Sequence, residues 1–296
     1  MNIMLGLIHG VDYLLCTWLV GMFVFQTGIA SAEGSAISSR FEHSRKLSLI
    51  LTSAIVLVSF IWFTLVAVDM AESWNPSDLF SVATSTRFGH IGACKVGITL
   101  AILILAFAKK LFRFWWIVLV LPLCFSLSGH AGTEQAGIAI NLIVDYLHLV
   151  AVSVWTGGLI TLLFWLKARL RGEQNSLPAN ASILVVTRFS HFAMISTAII
   201  GITGLVMALR FGLGPTTLLS TDYGKLVLAK ICLFTLALAA ASVNQFVYMR
   251  RWKPTGEMQF TRSVCRGVQF ELVIVYGIFI LAGFLGRAFL PALQHQ

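Results

Sequence analysis

Eight apolar stretches, near 3–30, 46–70, 89–109, 112–128, 138–166, 182–210, 224–249 and 266–290, follow one another with short connections between them. Each is long enough to cross a hydrocarbon core of about 30 Å as a helix. Of the 296 residues, 58% are hydrophobic and only 11% charged, with mean hydropathy +0.88. That is more apolar surface than a soluble domain of this size can hide. The expected fold is all-α: a polytopic bundle of eight transmembrane helices, forming one integral membrane domain over residues 1–296. The first stretch lacks the basic start and small-residue cleavage pattern of a signal peptide, so it is expected to stay as helix 1.

The net charge of +9 is a topology signal rather than a nucleic-acid footprint. Most of the 21 lysines and arginines fall in alternate connections: Arg40, Arg45 and Lys46; Lys109, Lys110 and Arg113; Lys167, Arg169, Arg171 and Arg188; Arg250, Arg251, Lys253, Arg262 and Arg266. Those connections are expected to face the cytoplasm. Both termini and the Gly129-His130 loop then face outward, which in a bacterium means the periplasm. The five cysteines are scattered, with no CxxC, and read as packing residues rather than a disulfide framework.

Weak internal similarity predicts a duplicated unit. Val11-Asp12-Tyr13-Leu14 recurs as Val144-Asp145-Tyr146-Leu147. Phe88-Gly89-His90, with Lys95 six residues after its glycine, parallels Tyr223-Gly224-Lys225 with Lys230. Leu51-Thr-Ser-Ala-Ile55 resembles Ile195-Ser-Thr-Ala-Ile199. The offsets are about 133, 135 and 144 residues. The reading is two parallel four-helix halves, 1–128 and 129–296, related by an axis along the membrane normal. At 1.5 Å per residue, Asp12, Asp145, Lys95 and Lys230 then lie roughly 6 to 14 Å below the outer surface, close enough in depth to offset one another.

Ionisable groups inside a membrane are functional candidates because their insertion costs several kcal/mol unless they are partnered. His9, Asp12 and Cys16 share one stripe of helix 1; His90 and Cys94 share one of helix 3; Asp145 and His148 stand one turn apart on helix 5, after His130. The candidate metal ligands are therefore His9, His130, His148, Asp145, Asp12, His90 and Cys94, with Lys95 and Lys230 as intramembrane charge partners. The histidines are the stronger ligands if the aspartates balance the lysines. Imidazole and carboxylate suit Cu(II), Zn, Ni or Fe, and sulfur shifts the preference towards Cu(I). His191 is read as interfacial or an exit ligand, and the Trp18…Gly21 and Trp155…Gly158 motifs as close helix packing. No P-loop and no phosphorylated-aspartate motif is present, which excludes nucleotide-driven pumping by this chain alone.

The order Gly129-His130-Ala131, Asp145-Tyr-Leu-His148, Trp155-Thr-Gly157-Gly158-Leu159, Arg188-Phe-Ser190, Thr203-Gly204-Leu205, Tyr223-Gly224-Lys225…Lys230, Asn244 and Glu271, the last read as opening helix 8, resembles the copper-resistance protein D (CopD/PcoD) family. The match runs from about residue 125 to 290; the first half is similar more loosely, through the helix that carries His9. The resemblance implies that periplasmic copper, as Cu(I) or Cu(II), is carried inward beside a separate CopC-type copper-binding protein, by a membrane transporter that is not an enzyme. Two other classes stay open. One is a haem-binding membrane cytochrome using histidines as axial ligands. The other is a non-transporting copper sensor or scaffold, docking its partner on outer loops that include Asp69, Glu72 and Asp78.

Overall fold

The computed structural model describes residues 2–29, 37–128, 138–174, 178, 180–210, 212–251 and 256–285. Their regular structure is helical throughout. In order come α1 (Asn2–Val24), α2 (Ile37–Ala71), α3 (Pro76–Ser85), α4 (Arg87–Phe107), α5 (Val120–Ser128), α6 (Ile138–Val152), α7 (Gly158–Leu170), α8 (Ala181–Arg210), α9 (Pro215–Ser220), α10 (Asp222–Val243) and α11 (Glu257–Leu285). Three π turns extend or join them: Phe25–Ile29 after α1, Ser153–Gly157 between α6 and α7, and Asn244–Tyr248 after α10. The middle turn makes α6 and α7 one continuous apolar rod.

Seven helices are long and apolar enough to cross a membrane: Met4–Ile29, Lys46–Ala71, Arg87–Phe107, Ala139–Leu170, Ala181–Arg210, Asp222–Tyr248 and Glu257–Gly283. The expected stretch at 112–128 differs. It becomes the shorter apolar helix Trp115–Ser128, a 3-10 turn followed by α5, about 21 Å long if fully α-helical. The reason lies just upstream, where α4 ends in a tight reversal. Lys109 takes a left-handed backbone (φ 59°) and the Lys110 N–H returns to the Leu105 carbonyl at 2.9 Å. Residues 109–114 go into that turn instead of the crossing.

Two short helices, α3 and α9, are not announced by hydropathy. Each begins with proline and leads into a threonine cap, Thr86 or Thr221. Thr86 Oγ1 accepts from Gly89 N at 2.9 Å and Thr221 Oγ1 from Gly224 N at 3.0 Å; each hydroxyl donates 2.7 Å to the carbonyl four residues earlier. A side chain at either glycine would collide with the preceding short helix. The same corner thus precedes α4 with Lys95 and α10 with Lys230.

Burial ranks the helices: in an 18-residue apolar stretch of each, 67% of the residues are buried in the Ala139–Leu170 rod but only 6% in the peripheral Asp222–Tyr248. α1 and the π turn that extends it join two packed clusters. Leu19, Val20 and Phe23 pack with Leu51, Ile102 and Leu121, while Phe25 and Ile29 pack with Trp155, Leu162, Val185 and Leu272. Apolar side chains gain little by leaving lipid, so close packing of small residues must hold the helices together. Gly21 of α1 and Gly157 of the π turn meet backbone to backbone; a Cβ on Gly157 would strike the Thr17 carbonyl. The two tryptophan–glycine motifs pack against each other there, as close-approach motifs should. At the far end of α7, Arg169 holds Glu257 at 3.0 Å and Ser182 donates to the same carboxylate at 2.9 Å, tying α7 and α8 to the start of α11. Glu271 does not open its helix: α11 starts at Glu257 and places Glu271 midway along the span.

Candidate functional site

The first group of ionisable residues is closed on itself. Asp12 of α1 is fully buried (0% exposed). Ser59 of α2 donates to its Oδ1 at 2.6 Å, and Lys95 of α4 forms an ion pair with its Oδ2. The ammonium also lies 4.1 Å from the Phe125 ring centroid. Both Asp12 oxygens are engaged, so this carboxylate acts as a counter-ion to Lys95 rather than an open ligand. Lys95 is paired, not extended to the interface. Above it, His9 stacks on Trp62 with centroids 4.8 Å apart. His9, Lys95 and Cys124 share a narrow cavity walled by Trp62, Phe88 and Phe125.

His90 and Cys94 are both exposed, and His90 Nε2 lies 2.8 Å from the Thr84 carbonyl. The helical pitch that turns Lys95 inward turns His90 and Cys94 out of this cavity. His130 lies outside the described residues.

The second group is more open. Asp145 of α6 lies within electrostatic reach of Lys230 on α10, with Ser126 of α5 beside it. Tyr13 of α1 packs against Phe125 and Phe279, with centroids 5.2 Å away in each case, and also lies within electrostatic reach of Asp145. It thereby stands between the two groups.

His148 carries the most specific geometry. It is 7% exposed, and its Nδ1 lies 2.9 Å from Thr203 Oγ1 of α8. Thr203 Oγ1 also lies 2.6 Å from the Ile199 carbonyl and 3.3 Å from the Ile200 carbonyl, both acceptors for its one hydrogen. With that hydroxyl donating to a carbonyl of its own helix, Thr203 is placed to accept from His148, an arrangement that corresponds to the proton on Nδ1 and a lone pair on Nε2. Metal-ligating histidines are commonly held in this way by a hydrogen bond from the other nitrogen. Sequence alone pairs His148 with Asp145 and misses Thr203, which lies on another helix.

A further buried acid escaped that reading as a site residue. Glu271 is 3% exposed and accepts from Trp155 Nε1 at 3.3 Å and Asn244 Nδ2 at 3.5 Å. The available signal was a lone acid in an apolar stretch. Among the described residues, no cluster of three or more His, Cys, Asp or Glu is arranged to hold a metal ion.

Fold and site together define a polytopic helical membrane protein with lysine–aspartate charge partners and an oriented histidine inside its bundle. Residues 1–140 match the family model for the copper resistance protein D-like N-terminal domain, and residues 183–285 match that for copper resistance protein D. The chain belongs to the copper resistance protein D family. It is a copper-related, multi-pass inner-membrane protein. It is 28% identical over 149 residues to copper transport protein CutJ of Bacillus subtilis, an alignment covering 49% of this chain and 26% of that protein. The aligned part thus spans about a quarter of that relative's length. It is 24% identical over 262 residues to inner membrane protein YebZ of Escherichia coli, covering 80% of this chain and 86% of the relative. No solved structure matches the chain.

Proposed function

We propose that this protein carries copper ions across the inner membrane, inward from the periplasmic face, through ligands centred on His148. The observation that carries the reading is the 2.9 Å contact of buried His148 Nδ1 with Thr203 Oγ1, which fits an Nδ1–H tautomer with Nε2 left as a donor. His9 supplies a second imidazole from the first half, and His130 the outermost one. Asp145 adds negative charge near His148, while Asp12 neutralises Lys95. An inside-negative potential favours inward movement by about 2.3 kcal/mol per charge per 100 mV. Few ligands at each station suits an ion that must leave as well as enter.

The supporting frame is a pair of parallel halves, 1–128 and 129–296, with Trp115–Ser128 as an eighth crossing and both termini periplasmic. The matching threonine-capped corners before α4 and α10 support the duplication. So does the Gly21–Gly157 contact, which joins α1 to the equivalent helix of the second half. A separate CopC-type protein would deliver the metal. The test is copper uptake into proteoliposomes bearing the purified full-length chain: His148→Ala combined with His130→Ala should lower initial uptake at least tenfold. Unchanged uptake in that double variant would overturn the reading.

A further inference from the structure

We propose that Glu271 is a proton-binding station inside the membrane, and that its proton exchange accompanies copper movement past His148. The second part rests on the transport reading above; the first does not.

The other buried acids have cations nearby. Asp12 has Lys95, Asp145 has Lys230 within electrostatic reach, and Glu257 has Arg169. Glu271, midway along α11, is held by two neutral donors, and among the described residues no cation pairs with it. An ionised carboxylate without a cation is costly in a low-dielectric interior, and a proton is the smallest partner that removes the charge.

The surroundings serve both states. Trp155 N–H and the Asn244 amide N–H point at the two carboxylate oxygens, as the ionised form requires. Asn244 Oδ1 is buried without a hydrogen-bond partner. Turning that amide over would present an acceptor to a protonated carboxyl. Space for the Asn244 oxygen exists because residue 267, one turn before Glu271, is glycine; a Cβ there would collide with it. Both donors belong to π turns, Ser153–Gly157 and Asn244–Tyr248. Such turns recur at functional sites because they redirect side chains and weaken the local ladder. Trp155 lies two turns beyond His148 on the same rod, about 10 Å along it. A change in the Glu271–Trp155 bond therefore acts on the helix that carries the proposed copper ligand.

α11 packs against α1, α7, α8, α10 and the Asn244 turn. The titratable groups on those elements are engaged elsewhere or exposed. On α1, His9 stacks on Trp62, Asp12 is paired with Lys95, Tyr13 packs on Phe125 and Phe279, and Cys16 lies in the first cluster. On α7, Arg169 holds Glu257 and Lys167 neighbours Cys265; on α8, Arg188 donates to the Ile29 carbonyl at 3.3 Å and the exposed His191 faces the Thr187 carbonyl. On α10, Lys225 pairs with Asp222, Lys230 neighbours Asp145 and His148, and Cys232 is exposed. Tyr248 packs against the second cluster, and Arg262, Arg266 and Tyr276 of α11 are exposed.

The experiment is pH-difference infrared spectroscopy of the full-length protein in proteoliposomes, with copper uptake measured on the same vesicles under imposed pH gradients. We expect a protonated-carboxyl band that appears as pH falls, is absent in E271Q and persists in D145N. W155F removes a donor to the ionised form and should keep the band to higher pH by about one unit. It also carries the test where E271Q does not insert. Copper uptake should respond to the gradient in the wild type and lose that response in E271Q. A band unaltered by E271Q, or one whose pH dependence ignores W155F, overturns the proton station. A Glu271 band with no gradient effect on uptake overturns the coupling. Absence of wild-type uptake would instead overturn the transport reading, while the infrared result still decides on Glu271.

Discussion

Thr203→Val tests whether the Thr203 hydroxyl orients His148, the proposed copper ligand. Valine has nearly the same shape and lacks only the hydroxyl that lies 2.9 Å from Nδ1. Two costs follow. The buried Nδ1 loses its hydrogen-bond partner, worth about 1–3 kcal/mol of stability. The imidazole also loses its fixed tautomer and orientation, and removing an outer hydrogen bond of this kind lowers metal affinity about 10–100-fold. Thr203→Ser keeps the hydroxyl and should restore most of both. The assay is copper affinity of the detergent-purified full-length protein by chelator competition, read beside its thermal unfolding. Weaker binding in the valine variant and near-normal binding in the serine variant are expected. If valine binds copper like the wild type, or serine is as weak as valine, the Thr203 hydroxyl does not orient a ligand.

Asp12→Asn leaves Lys95 buried without its counter-charge and should cost about 3–5 kcal/mol, seen as a lower thermal midpoint in detergent. Replacing both residues with leucine should recover much of that loss; a double variant as unstable as Asp12→Asn would show that the pair does more than neutralise charge. Gly157→Leu should prevent α1 from crossing the α6–α7 rod and cut the yield of monodisperse protein several-fold, because its Cβ meets the Thr17 backbone rather than a movable side chain. Normal yield and unfolding would mean that the crossing adapts.

The long spans were legible because hydrocarbon thickness imposes a minimum apolar length, which Lys46–Ala71 and Ala181–Arg210 exceed plainly. The Asp12–Lys95 pair was legible in kind, since two opposite charges at one depth in lipid have few alternatives to each other. Three things were not. The shortening at Trp115–Ser128 depends on where the chain reverses, and Lys109 looks like any other basic loop residue until its backbone conformation is known. Outward rotation of His90 and Cys94 follows from Lys95 facing inward, a choice that helical spacing permits but does not make. Thr203 and Trp155 take part through hydrogen bonds to residues 55 and 116 positions away, on helices whose adjacency hydropathy does not encode.

Whether His148 binds copper is decided by anomalous scattering at the copper edge from crystals of the full-length protein soaked with copper. A peak is expected within coordination distance of His148 Nε2, lost in His148→Ala while the fold is unchanged. Copper bound elsewhere in the bundle, with His148 Nε2 vacant, would contradict it.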